Sequence, residues 1–363
     1  MAAEGGSIAT THAPATASER ELYAPAWPHY IVRPIHDLPV PSLLIYVAIA
    51  VAGLPLLEVR YWSIGQLPVG ALDTNSLTYA IALATILYLF GSMERSAYAA
   101  FDRFRPALRP GADAAAIRQS LAVLPAPIGG YAFAASVALT AFRYAFDPAS
   151  SDVQGLPTWA AACAFVFEAL NVGVLFCFVA QLFRQTRTLR RVLAEDTVVD
   201  IYRPGPLHAL SGLSARMGIG LVLLTGAIAV LVSPSDPGSA VDVLSLLPFV
   251  ALPVGIALLT FLVPLYGTHG RLVDEKQRLE VAQDIRLQGL VTEINQLIDS
   301  RRLGEVEPLN KALGAVIQQR DLVSKLSTWP WSSGTARALG TAILLPVLLF
   351  VIQRLAAAGL GLG

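Results

Sequence analysis

One carboxylate and one carboxamide interrupt an otherwise apolar run, "CAFVFEALNVGVLFCF", between Cys163 and Phe178. Glu168 and Asn171 are three residues apart, a spacing that puts both on one face of a helix. A charge at the centre of a bilayer costs on the order of 2.5–3.5 kcal/mol on insertion scales. Two readings of Glu168 fit. It handles ions or protons on a polar cavity, or it is a protonated acid that bonds Asn171 or a neighbouring helix as packing glue. No partner base stands within the spans.

Other polar and helix-breaking residues fall in apolar segments. Pro253 and Pro264 lie in one such segment and Pro346 in the last, "TAILLPVLLFVIQRL", which also carries Thr341 and Gln353. Proline frees a backbone carbonyl that can coordinate a cation or bend a gate, although kinks are also ordinary in membrane packing. These two segments are the most pore-like, since Pro346 and Gln353 put polar backbone and an amide into the last. Arg187, Arg190 and Arg191 in "RQTRTLRRVL" suit anionic lipid head groups, and they also serve simply as orienting charge. Trp329 and Trp331 in "TWPWSSG" suit interfacial anchoring. No metal set surrounds His208 or His269, and Cys163 and Cys177 share one apolar run, which reads as free thiols. None of the short hydrolase, metalloprotease, phosphate-loop or dinucleotide motifs is present, so the sequence suggests no catalytic residue and no cofactor.

The elements that hold these residues are set by composition. The chain has 363 residues, 55% hydrophobic and 14% charged, with 26 basic and 26 acidic side chains. Its mean hydropathy is +0.58. That is too apolar for an ordinary soluble protein, and zero net charge gives no argument for nucleic acid. The expected fold is all-α and polytopic, with seven spans. They run at about 42–57, 77–93, 121–142, 159–183, 217–232, 244–265 and 336–355. Arginines crowd the loops after the second, fourth and sixth spans, whereas the alternate loops carry only Arg60 and Arg143. The positive-inside rule then places the N-terminus in the cytoplasm and the C-terminus outside, in a membrane of the bacterial or archaeal cytoplasmic type.

Four regions follow. Residues 1–41 read as a disordered tail without signal-peptide or lipidation features, ending in a Pro- and aromatic-rich interfacial approach. Residues 42–266 form a six-helix membrane region. Residues 267–334 form a cytoplasmic amphipathic hairpin. Its first arm carries Leu287, Leu290, Val291, Ile294, Leu297 and Ile298, and its second carries Leu309, Leu313, Val316, Ile317, Val323 and Leu326. Residues 335–363 are the seventh span and a short external tail.

In outline this resembles the seven-helix ion channels of the insect odorant and gustatory receptor type. The resemblance implies a tetramer held by cytoplasmic extensions of the later helices, with the last helix lining the pore. It covers topology rather than a motif. In place of the family's C-terminal Thr-Tyr, five apolar residues, Gln-Phe pattern, this chain has Thr341 and Gln353 at wider spacing, with Pro346 between them. The leading expectation is therefore a homo-oligomeric channel or channel-like receptor in the lipid bilayer. The alternatives are a non-transporting scaffold or sensor that binds a cytoplasmic protein, and a proton-coupled transporter that uses Glu168.

Overall fold

The computed structural model describes residues 22–146, 157–232, 240–344 and 348, with backbone alone for 74–75, 225–232 and 240–253. The chain is all-helical, and the described residues contain no strand beyond two isolated bridges. In chain order the helices are α1 (Trp27–Asp37), α2 (Ser42–Ser63), α3 (Thr74–Phe104), α4 (Ala114–Ala122), α5 (Ala126–Phe146) and α6 (Thr158–Glu195). They continue with α7 (Gly205–Val232), α8 (Ala240–Asp299), α9 (Val306–Ser324) and α10 (residues 333–344).

Among the described residues, five helices are long and apolar enough to cross a membrane: α2, α3, α6, α7 and α8. The expected third span corresponds to α5, which starts at Ala126 rather than at Leu121. Residues 123–125 are drawn out because they pair with the chain ahead of α1. Ala26 donates to the Leu124 carbonyl (2.7 Å) and Ala126 to that of Ala24 (2.9 Å). Glycines, Tyr131 and Arg143 leave α5 without a stretch as apolar as those in the five. Half of the seventh expected span, 345–347 and 349–355, lies outside the described residues.

Large fully buried side chains gather in the half of the bundle nearest the arginine-rich loops. Phe90, Phe101, Phe104, Phe178, Leu182, Leu189 and Leu207 are among them. By contrast α2 leaves Leu43, Leu44, Val47, Val51, Leu56 and Val59 open. An apolar helix exposed over so much of its length suits contact with lipid better than with water.

α6 continues unbroken from its apolar part through Arg184–Leu193, as expected, and α7 starts at the expected "RPGP" turn. α8 is a single helix of 60 residues, roughly 90 Å at 1.5 Å per residue. Pro253 and Pro264 do not break it. Pro264 has no N–H to offer the Thr260 carbonyl one turn earlier. The hydroxyl of Ser214 on α7 donates to that carbonyl instead (2.7 Å), so the neighbouring helix satisfies what proline leaves open.

Beyond its apolar part, α8 forms the expected hairpin with α9. Arg320 pairs with Asp284 across it (3.0 Å), and Lys276 donates to the carbonyls of Ser324 (2.6 Å) and Leu326 (3.1 Å). Ile294 and Val323 are buried, whereas Val281, Ile285, Val291, Ile298, Ile317 and Leu322 remain open. One pair of stripes is used, and another apolar row is left over.

Candidate functional site

The most tightly organised polar site in the described residues is built on α1, in the segment expected to lie at the membrane interface. "WPHYIVRPIHD" opens with Pro28 in its first turn, where a missing N–H costs nothing. Pro28, His29, Val32 and Ile35 recur at helical spacing and are buried. Two glycines on other helices make room for this segment. A Cβ on Gly91 of α3 would come within 2.2 Å of the His36 ring. One on Gly129 of α5 would come within 2.5 Å of Ala26, whereas one on Gly173 of α6 would crowd Ser136 and Phe133 of α5 and stand in ordinary contact with the Trp27 ring. The segment is therefore seated in notches rather than laid on a surface.

At the centre of the seat stands Glu94 of α3. Leu124 N–H donates to His29 Nε2 (3.0 Å), which puts the ring proton on Nδ1. Nδ1 then donates to Glu94 Oε2 (2.7 Å), and Arg33 Nε donates to Oε1 (2.9 Å). The carboxylate is thus ionised, answered by two donors from one helix and balanced by the Arg33 charge. His29 has no free lone pair left to act as a base. Its geometry is that of a lock between α1, α3 and the α4–α5 connection.

Further bonds tie the chain ahead of α1. Gln119 accepts from Leu22 N (2.7 Å) and donates to the Tyr23 carbonyl (3.0 Å), and Arg184 donates to the Tyr23 hydroxyl (2.8 Å). Gln181 on α6 donates to the Leu121 and Ala122 carbonyls at the end of α4. His36, at the far end of α1, differs from His29. Both of its ring nitrogens are buried without a partner. Burial first, then the nearby Arg95 charge, hold its pKa below the usual histidine value.

Glu168 is buried on α6, and the expectation that it has no base to pair with is corrected. Arg143 Nη1 donates to Glu168 Oε1 at 2.6 Å. Arg143 stands in the last turn of α5, and α5 packs on the first turns of α6, so a residue assigned to a loop reaches the buried acid. Tyr144 shares a side-chain hydrogen bond with Glu168, and Tyr79 shares one with Arg143. The group is an ion pair framed by two phenols. Asn171 donates to the Phe167 carbonyl one turn back (3.3 Å), and its own carbonyl oxygen is buried without a partner.

The other candidates are scattered. Trp329 stacks on His269 (centroids 3.9 Å apart, planes 7° apart) and touches Trp331, which in turn meets Phe261. His269 also bonds the Thr328 carbonyl (2.9 Å). The "TWPW" stretch is thereby pinned to α8. Arg187, Arg190 and Arg191 are exposed on α6. Pro264 is buried on α8, Pro253 is described by backbone only, and Pro346 and Gln353 lie outside the described residues. Cys177 is buried and Cys163 exposed, both as free thiols. Among the described residues no group of histidine, cysteine and acidic side chains could hold a metal ion.

The residues missed in the sequence are His29, Arg33 and Glu94. A signal was present in the alternation of Pro28, His29, Val32 and Ile35, which marks an amphipathic helix with a histidine on its buried face. No protein-family model, curated protein or solved structure matches the chain.

Proposed function

We propose that the chain is a subunit of a homo-oligomeric, channel-like membrane protein with seven spans, an N-terminus in the cytoplasm and a C-terminus outside. The observation that carries the reading is the pairing of a long α8 with an α9 return that keeps a row of apolar side chains open. In water such a row on a hairpin calls for a partner, and a second copy brings an identical row. α10 supports the same reading. Leu339 and Ala342 pack inward, Leu339 lying 3.4 Å from where a Cβ on Gly218 of α7 would stand. Arg337, Thr341, Leu344 and Leu348 stay open, a stripe free to face a central path. The arrangement also fits the insect-type channel outline, in which later helices assemble the subunits and the last helix lines the pore.

Arg143 at Glu168 favours a second reading, a non-transporting scaffold or sensor subunit, over a proton-coupled transporter. An acid held by a guanidinium and a phenol is poorly placed to exchange protons with a path. The test joins two measurements on protein in nanodiscs and proteoliposomes. Native mass spectrometry is expected to find a defined oligomer that Ile285→Glu with Val281→Glu dissociates. Cation flux is expected to be lost with it. A monomer in lipid would overturn the assembly, and a stable oligomer that passes no ion would leave the scaffold.

A further inference from the structure

We propose that a cavity between the ends of α6 and α8 is a binding site for an anionic glycerophospholipid. Arg190, Leu193 and Ala194 of α6 form one wall, and α8 from Leu262 to Arg271 forms the other. Its volume is about 570 Å³, within the range of ligand pockets. α6 has already reached its arginines at the level where α8 is still apolar, so the cavity has a cationic side and a greasy side. Leu262 and Val263 stand open on the latter. A phospholipid has the same division, a phosphate next to the first carbons of its acyl chains.

Three polar groups are ready for the phosphate end. Arg190 is exposed and makes no hydrogen bond or ion pair among the described residues. Arg271 donates to the carbonyls of Leu193 and Thr197 (2.9 Å for Thr197), which fixes its guanidinium across the end of α6, and no carboxylate is paired with it. Thr268 lines the cavity, is only 2% exposed, and its hydroxyl has no hydrogen-bond partner. A buried hydroxyl without a partner is uncommon in a folded protein, and a lipid oxygen is the acceptor this location supplies. On the far side of Arg271 a second depression holds Arg109 and Arg278 with Asp274 and Glu275. The surroundings remain positive despite those two acids, with Arg187 and Arg191 nearby on α6. A free phosphate would answer the arginines but would leave Leu262 and Val263 in water, so a lipid is the better occupant.

The experiment is native mass spectrometry of the full chain in detergent, titrated with phosphatidylglycerol and, separately, with phosphatidylcholine. Wild type is expected to retain one phosphatidylglycerol per subunit beyond what phosphatidylcholine gives. Arg190→Ala is expected to weaken this about fivefold, while Arg187→Ala, outside the cavity, leaves it within twofold. Val263→Trp, which fills the apolar side without changing charge, is expected to weaken it as well. Equal retention of the two lipids, or equal loss in both arginine variants, would show unspecific surface charge and overturn the site. Displacement of phosphatidylglycerol by millimolar inorganic phosphate, with Val263→Trp silent, would make the ligand a soluble anion instead.

Discussion

Glu94 and Glu168 are both buried acids on membrane-type helices, and both are paired with arginine, yet their surroundings differ. Glu94 has 7% of its side chain exposed and is answered on both oxygens by His29 and Arg33, which arrive together on one short helix. Glu168 is 9% exposed, but its arginine, at 38%, reaches from the end of the adjoining α5. The first pair joins a segment from outside the bundle to its core, so its energy is docking energy. The second joins two helices that already pack along their length, so its energy adds to a contact that stands without it. Burial of the acid alone does not tell these roles apart. The origin of the partner does.

The sharpest test of that difference is Glu94→Gln. The amide keeps one acceptor and turns the other into a donor, so either His29 Nδ1–H or Arg33 Nε–H faces a donor. Removing one partner of a buried pair costs about 3–5 kcal/mol. The expected outcome is a large fall in Tm of the purified protein, with protease cleavage appearing within residues 22–41. If Glu94→Gln unfolds no more readily than wild type, the lock is not what holds α1.

Gly91→Ala comes next. The added methyl meets the His36 ring at 2.2 Å, so the ring or the whole helix must move. Overpacking of this kind costs about 1–3 kcal/mol. Gly173→Ala, whose nearest neighbours are at 3.1 Å and 3.2 Å, is expected to cost less. Hydrogen exchange over 27–37 separates the two, because only loosening of α1 raises it there.

Glu168→Gln should be milder again. The amide oxygen still accepts from Arg143, and the half-buried arginine keeps access to solvent or head groups for its charge, so about 1 kcal/mol is expected. Thermal unfolding beside Glu94→Gln tests the ranking. An equal or larger loss for Glu168→Gln would invert the comparison.

Much of this was legible in the sequence, and the reasons are physical. Long apolar runs and their flanking arginines mark α2, α3, α6, α7 and α8 because a membrane-type helix is defined by composition. The α8–α9 hairpin was legible because its stripes repeat at three and four residues over many turns. The role of α1 was not. Its eleven residues contain two prolines, two histidines and an arginine, and in isolation that composition reads as an interfacial approach. What makes it a docked helix lies elsewhere, in Gly91, Gly129 and Glu94, each on a different stretch of chain or serving a different neighbour. Arg143 was hidden for a related reason. It was assigned by its place near a span end, whereas its partner is chosen by how far α5 runs alongside α6.

The smallest effect expected is that of pH, and it separates the two histidines of α1. His29 has both nitrogens in use, whereas His36 has neither and sits beside Arg95, with Glu94, Asp37 and Tyr46 also within electrostatic reach. The folded pKa of His36 lies below the usual 6.5, so the undocked segment takes up the proton first. Docking is then fully supported above about pH 6.5 and weakens as pH falls towards the folded pKa. Hydrogen exchange over 27–37 at pH 7.5 and pH 5.5 is expected to show faster opening in acid, with less change across α3. His36→Gln keeps a polar side chain and removes the titration, so its exchange should depend less on pH than that of wild type. An unchanged dependence in that variant would shift the cause to the His29–Glu94–Arg33 lock, where acid would have to protonate a carboxylate already held by two donors.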